Sequence, residues 1–131
     1  MKRIILISFL LGLATTAEAA FPEGQWAVDT YKDSTGTLYS TVGICIKAGG
    51  TWYLTTPVES TGSGHWYIKG NDVHLHGNLH ANAELNESIE LTKVNSKLLT
   101  GFWQEWLDDG SFNLYNTTKW IFTSATCLPP A

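Results

Sequence analysis

Three of the four histidines fall in one stretch, Val73 to His80, which reads "VHLHGNLH". Two imidazoles at alternate positions of an extended segment point the same way. An His-x-His pair joined by a third histidine is a familiar donor set for zinc, copper or nickel. On one straight strand His74 and His80 stand about 20 Å apart at ~3.3 Å per residue, too far to share an ion. A tight turn at Gly77-Asn78 would instead send His80 to the opposite face. Either way His80 leaves the set, and His65 is the better third member. A two-residue turn at Gly70-Asn71 pairs 69 with 72, 68 with 73, 67 with 74, 66 with 75 and 65 with 76. That register sets Trp66 and Ile68 against Leu75 and Val73, whereas a slip of one residue would set Ile68 against His74. His65, His74 and His76 are thus the candidate metal ligands, on the face opposite the apolar one. Three readings stand for them: a physiological metal site, weak adventitious binding, and plain solvent-facing histidines. An exposed site lacks the dry, oriented pocket that metal catalysis uses, so no resident cofactor is expected.

Other reactive side chains offer less. Ser63 stands two residues before His65, with nothing else to make it a nucleophile. Glu105 shares a strand face with Trp103 and Leu107. An inward position would raise its pKa and make it an acid or hydrogen-bond donor, while a rim or solvent position would leave it an ordinary carboxylate. Asp108 and Asp109 are explained by a turn. The chain holds no GxSxG, HExxH, phosphate-loop or dinucleotide-binding pattern, and no catalytic residue is assigned.

The elements that must position these groups belong to an exported chain. Residues 1–19 begin with Lys2 and Arg3, continue through an apolar run and end on Ala17-Glu18-Ala19. This pattern is that of a secretory signal peptide, too short in its apolar part to cross a bilayer. Residues 20–131 then form a single domain, soluble and without a membrane span, in the periplasm or secreted. That part carries six lysines, no arginine and eleven acidic residues, a net charge of −5. With no guanidinium forks and a negative balance, nucleic acid is excluded as a partner. Cys45 and Cys127 have no CxxC spacing, and in an oxidising compartment they read as one disulfide.

Helix periodicity is almost absent from residues 20–131, and short runs rich in Trp, Tyr, Ile, Val and Thr alternate with Gly, Asn, Asp and Ser clusters. Eight strands are expected: 25–32, 38–47, 51–56, 65–69, 72–77, 87–93, 98–107 and 112–123. Val42, Ile44 and Ile46 share one face of the second, and Leu85, Ile89 and Leu91 share one face in and before the sixth. "KAGGT", "KGND" and "DDGS" supply tight hairpin turns. So many sequential hairpins imply an all-β, antiparallel up-and-down β-barrel of about eight strands, with a two-sheet β-sandwich as the alternative. "TPVESTGSG", Thr56 to Gly64, reads as a longer Gly/Ser-rich loop, either a lid or a plain connector.

Six tryptophans serve this fold, at 26, 52, 66, 103, 106 and 120. Large rings fill a small barrel, but Trp103 and Trp106 differ by an odd number, so one lines the interior and the other lies outside. "YNTTKWIFTSATC", Tyr115 to Cys127, resembles the penultimate strand of the avidin and streptavidin family. "GQW" at Gly24 to Trp26 is similar to that family's opening strand, and "GTWYLTT" with the loop after it is similar to its third strand and lid. The resemblance implies a barrel in which Trp120 lies against the ligand and Tyr53 and Thr55 make polar contacts to it. Trp26 and Trp103 complete the candidate ligand-binding set. Val28 stands where the family carries a ligand-binding Asn, which counts against biotin. The Gly-x-Trp start also resembles the small disulfide-bonded barrels of bacterial metalloprotease inhibitors. The expected function is therefore non-catalytic binding of a small apolar or aromatic ligand in the barrel mouth, lipocalin-like or avidin-like. The alternative is a protein-binding module such as a protease inhibitor or host-interaction protein, and a homo-oligomer is compatible with either.

Overall fold

The computed structural model describes residues 20–32, 35–80 and 84–131; the signal peptide expected over 1–19 lies outside them. Eight strands follow one another: β1 (Gly24–Lys32), β2 (Leu38–Lys47), β3 (Thr51–Thr56), β4 (Thr61–Lys69), β5 (Asp72–His80), β6 (Glu84–Asn95), β7 (Leu98–Leu107) and β8 (Phe112–Ser124). Each is antiparallel to the next, and β8 pairs with β1 from Gln25↔Ser124 to Lys32↔Asn116. The sheet is thus a closed barrel in sequence order, and the sandwich alternative falls. Closure leaves no strand edge to template a foreign chain. Among the described residues no helix is long and apolar enough to cross a membrane.

Side-chain parity builds the core. Trp26 and Val28 of β1, Ile44 and Ile46 of β2, Trp52 and Leu54 of β3, and Val73 and Leu75 of β5 all point inward and are buried. Ile89 and Leu91 of β6, Leu99 and Trp103 of β7, and Trp120 of β8 meet them across the barrel. At roughly 25 cal/mol per Å² of apolar area, each large ring contributes several kcal/mol to folding. One end, where the chain enters β1, is shut by Phe21, which packs edge-on against Trp26 at 6.4 Å between ring centroids. The Trp26 indole N–H donates to the Pro22 carbonyl at 2.8 Å, locking that plug in place. The other end carries the connections Pro57–Ser60 and Asp108–Ser111, after β3 and β7.

Two expectations need correction here. β4 begins at Thr61 rather than at residue 65, so the expected lid Thr56–Gly64 shrinks to a short connection, Pro57–Ser60. β5 runs straight to His80, with no turn at Gly77-Asn78. The glycines that look like loop signals lie in register, Gly64 opposite Gly77. A Cβ on Gly64 would stand 2.0 Å from the His76 carbonyl oxygen, and one on Gly77 would stand 2.1 Å from that of Ser63. The two backbones therefore approach more closely than any side chain allows, which is a strand use of glycine rather than a turn use. Trp52 is the cross-strand partner of Gly64, and its indole N–H donates to the His76 carbonyl at 3.2 Å.

Candidate functional site

The histidine register forms as expected. Lys69↔Asp72, Ile68↔Val73, Tyr67↔His74, Trp66↔Leu75 and His65↔His76 are paired, and the ladder continues to Thr61↔His80. Gly70 has φ of +64° at the first turn position, the conformation a type II′ hairpin turn needs. His65, His74 and His76 share the outer face but do not surround one point. The His65 and His76 rings are 6.4 Å apart. His74 instead lies flat on Tyr67 at 4.8 Å, with its Nδ1 3.8 Å from Glu90. Among the described residues no group of three His, Cys, Asp or Glu side chains is arranged to hold a metal ion.

The five candidate ligand contacts divide between two faces. Trp26, Trp103 and Trp120 point inward, and their rings form a chain, Trp26 to Trp120 at 6.4 Å and Trp120 to Trp103 at 6.4 Å. Tyr53 and Thr55 point outward, because Trp52 and Leu54 take the inward parity of β3. The outer pair is covered by the C-terminal segment. The Tyr53 hydroxyl donates to the Leu128 carbonyl at 2.8 Å, and the Gln25 amide donates to Thr55 Oγ1 at 2.8 Å. The Leu128 amide donates to Gln25 Oε1 at 3.0 Å, and the Ala131 amide donates to the Leu54 carbonyl. The Cys45–Cys127 disulfide, with Cα atoms 5.6 Å apart, fastens this strap to β2. With β4 extended, the avidin-like grouping of Tyr53, Thr55 and a lid around Trp120 does not assemble inside the barrel.

What does assemble inside is polar, at the end opposite the Phe21 plug. Glu87 on β6 and Glu105 on β7 are direct cross-strand partners. They are 1% and 8% exposed. Of the two readings of Glu105, the inward one is correct. Glu87 escapes the sequence reading, although strict alternation places it between Leu85 and Ile89 on the very face already recognised as apolar. The signal was parity, overridden by residue type. The Trp103 indole N–H donates to Glu87 Oε1. Glu87 Oε2 receives no N–H or hydroxyl donor among the described residues, and the Glu105 carboxyl is the acid's other hydrogen-bond partner. Burial, followed by the adjoining Glu105 carboxyl as hydrogen-bond partner and as charge, pushes the Glu87 pKa up to about 10; the Trp103 donor pulls the other way. Glu87 is thus a carboxylic acid at neutral pH, able to donate as well as accept.

Other buried polar groups lie on the same interior. Asn116 pairs with Trp103 across β7 and β8. The Trp120 indole N–H donates to Thr118 Oγ1 at 3.0 Å, whose hydroxyl donates to the Asp29 carbonyl at 3.0 Å. Thr30 Oγ1 and Ser40 Oγ are 2.6 Å apart. At the plugged end Trp26, Phe21, Lys97 and Phe122 line an open recess of about 390 Å³ with no acidic group but Glu23.

No family model, no curated protein and no solved structure matches this chain.

Proposed function

We propose that the protein is an exported, non-catalytic binding protein that takes a small ligand at the polar end of its barrel interior. The observation that carries this reading is the buried Glu87–Glu105 pair, set beside the inward-facing Trp103. Burying carboxyls costs several kcal/mol unless their hydrogen bonds are met, so stability alone favours apolar residues at these positions. Barrel mouths are common ligand sites, and a few convergent polar groups on an aromatic wall give such sites their specificity. The ligand expected from the aromatic content therefore gains a polar requirement. Trp103 meets it and Trp120 backs Trp103, so the avidin-like resemblance is kept as that of a binding barrel with a different ligand. Export accords with the disulfide, which persists in oxidising compartments.

Native mass spectrometry of the protein purified from its own source tests this reading. A bound small molecule is expected, and Glu105→Ala should abolish its retention. A bare monomer, together with an interior that takes up no small probe, would count against it.

One observation favours a second reading, a protein partner or a second copy on the outer wall. Phe102 and Tyr115 are 45% and 39% exposed and stack on each other at 5.3 Å. Light scattering of the wild type and of Phe102→Ser tests it: a mass above the monomer that falls with the substitution supports the outer wall as an interface.

A further inference from the structure

We infer that the recess at the plugged end of the barrel is a binding site in its own right, for a small carboxylate with an apolar tail. It lies apart from the Glu87–Glu105 pair and stands whether or not that pair receives a ligand.

Alternation along β6 gives Lys93 the inward parity after Ile89 and Leu91, opposite Leu99. A lysine at such a place buries its stem and brings its ammonium out at the rim. Lys93 does so against the plug, with Nζ 4.5 Å from the centroid of the Phe21 ring. Lys97 follows in the turn between β6 and β7, and that turn is fixed twice. Asn95 Oδ1 accepts the Lys97 amide at 2.8 Å, and the Lys97 carbonyl accepts the Phe122 amide at 3.0 Å. Ser96 and Lys97 are thereby held at the recess of about 390 Å³ whose aromatic wall is Phe21, Trp26 and Phe122. Trp26 and Phe122 meet edge to face at 5.5 Å, which fixes the wall.

Charge is sorted along the barrel axis. Lys47, Lys69, Lys93 and Lys97, four of the six lysines of residues 20–131, lie at the ends of β2, β4 and β6 or in the turn after β6, all at the plugged end. Among the described residues the acidic groups there are Glu23 and Asp72, and Asp72 accepts the Thr92 hydroxyl at 3.2 Å. The ion pairs that form among the described residues are His74 with Glu90 and His80 with Glu84, so no carboxylate stands within ion-pair distance of Lys93 or Lys97. A chain of net charge −5 thus keeps one positive end, beside an apolar hollow of the size that small ligands use. An anion answers the lysines, and a carboxylate can also accept from the Ser96 hydroxyl. An apolar tail answers the three rings. A bare inorganic anion would leave those rings in water, and an amine would meet like charge.

The test adds phenylacetate, phenethyl alcohol or phenethylamine to the folded protein and follows the NMR signal of the Trp26 indole N–H, which is anchored on the Pro22 carbonyl. Phenylacetate is expected to saturate with a Kd below about 1 mM, at least about fivefold more tightly than the alcohol, and the amine to bind more weakly than either. Added salt should weaken the acid and leave the alcohol unchanged. Lys97→Gln, at an exposed position that keeps the fold, should weaken phenylacetate about fivefold, the upper end for an exposed ion pair, without changing the alcohol. Glu23→Gln should tighten phenylacetate about twofold, and Lys119→Gln, on the outer wall, should change nothing. Equal binding of acid and alcohol, or a Lys97→Gln variant that binds the acid as the wild type does, would overturn the carboxylate assignment. No movement of the Trp26 signal with any of the three compounds would overturn the site, and would leave the reading of the Glu87–Glu105 end untouched.

Discussion

The Trp103 indole donates to the Glu87 carboxyl across the β6–β7 pair, between two side chains that are both buried in the barrel. This bond holds one oxygen of an acid that lies deep among apolar neighbours, and the second oxygen faces another acid. The arrangement ties stability to pH.

The pH dependence follows from the sign of the Glu87 shift. Its pKa in the folded protein is raised to about 10 from 4.5, so the folded state holds a proton that the unfolded chain has lost between these values. That contribution is complete below the unfolded pKa and drains away as pH rises through the folded one. Urea denaturation at pH 5, 7 and 9 should show stability falling, at up to about 1.4 kcal/mol per pH unit from this group. Glu87→Gln mimics the protonated acid and should flatten the slope. A slope the same in both proteins would show that Glu87 does not hold the proton.

The Gly64–Gly77 pair gives a packing prediction. Alanine at either position places its Cβ within about 2 Å of a partner-strand carbonyl oxygen. Neither neighbour is a side chain that can swing away, so the β4–β5 ladder must part. Gly77→Ala should cost about 3 kcal/mol, the upper end of ordinary overpacking, and should change the emission of Trp52, whose indole is anchored on the His76 carbonyl. Chemical denaturation followed by fluorescence measures both, and an alanine variant of wild-type stability would refute the close approach.

Removing the disulfide should loosen the strap without opening the barrel. The Cys45–Cys127 crosslink spans 82 residues, and in the chain-entropy model its loss costs ~4 to 5 kcal/mol. A Cys45→Ser, Cys127→Ser double variant should lose hydrogen-exchange protection at the Leu128 and Ala131 amides first, since both bonds depend on the strap lying against β1 and β3. The β1–β8 ladder should stay protected. Uniform loss of protection across all strands would show that the strap, not the closure, holds the barrel together.

Zinc should bind weakly, and at two histidines. His65 and His76 are neighbours on the outer face, whereas His74 is stacked on Tyr67. In a titration followed by imidazole NMR signals, His65 and His76 should move together and His80 should stay still. Tight binding with His74 moving in step would mean that the Tyr67 stack opens to complete the trio.

Much of this molecule is legible in its residues. The strand boundaries of β2, β3 and β7 coincide with the apolar runs and turn clusters that mark them, because alternation and turn chemistry are local. The hairpin register at Gly70-Asn71 was legible for the same reason: only one alignment keeps Ile68 off His74. The full extent of β4 and β5 is hidden from local pattern because glycine is a loop residue by local preference, and only a partner strand carrying a second glycine at the same level makes it a strand residue. A likeness of short segments groups Tyr53 and Thr55 with Trp120. In the structure Trp52 and Leu54 outweigh them for the core, and parity does the rest.

What the sequence determined by itself is therefore whatever a period of two and a turn residue can specify: an all-β chain, its hairpins, its apolar face and the disulfide partners. What only the tertiary structure decided is which side chains from distant strands meet. Glu87 and Glu105 lie 18 residues apart and become neighbours only when β6 and β7 pair in one particular register. Gln25, Thr55 and Leu128 come together only when the strap folds back over a closed wall. Burial, which raises the Glu87 pKa, is a property of that closure, since no local pattern removes a side chain from water on its own.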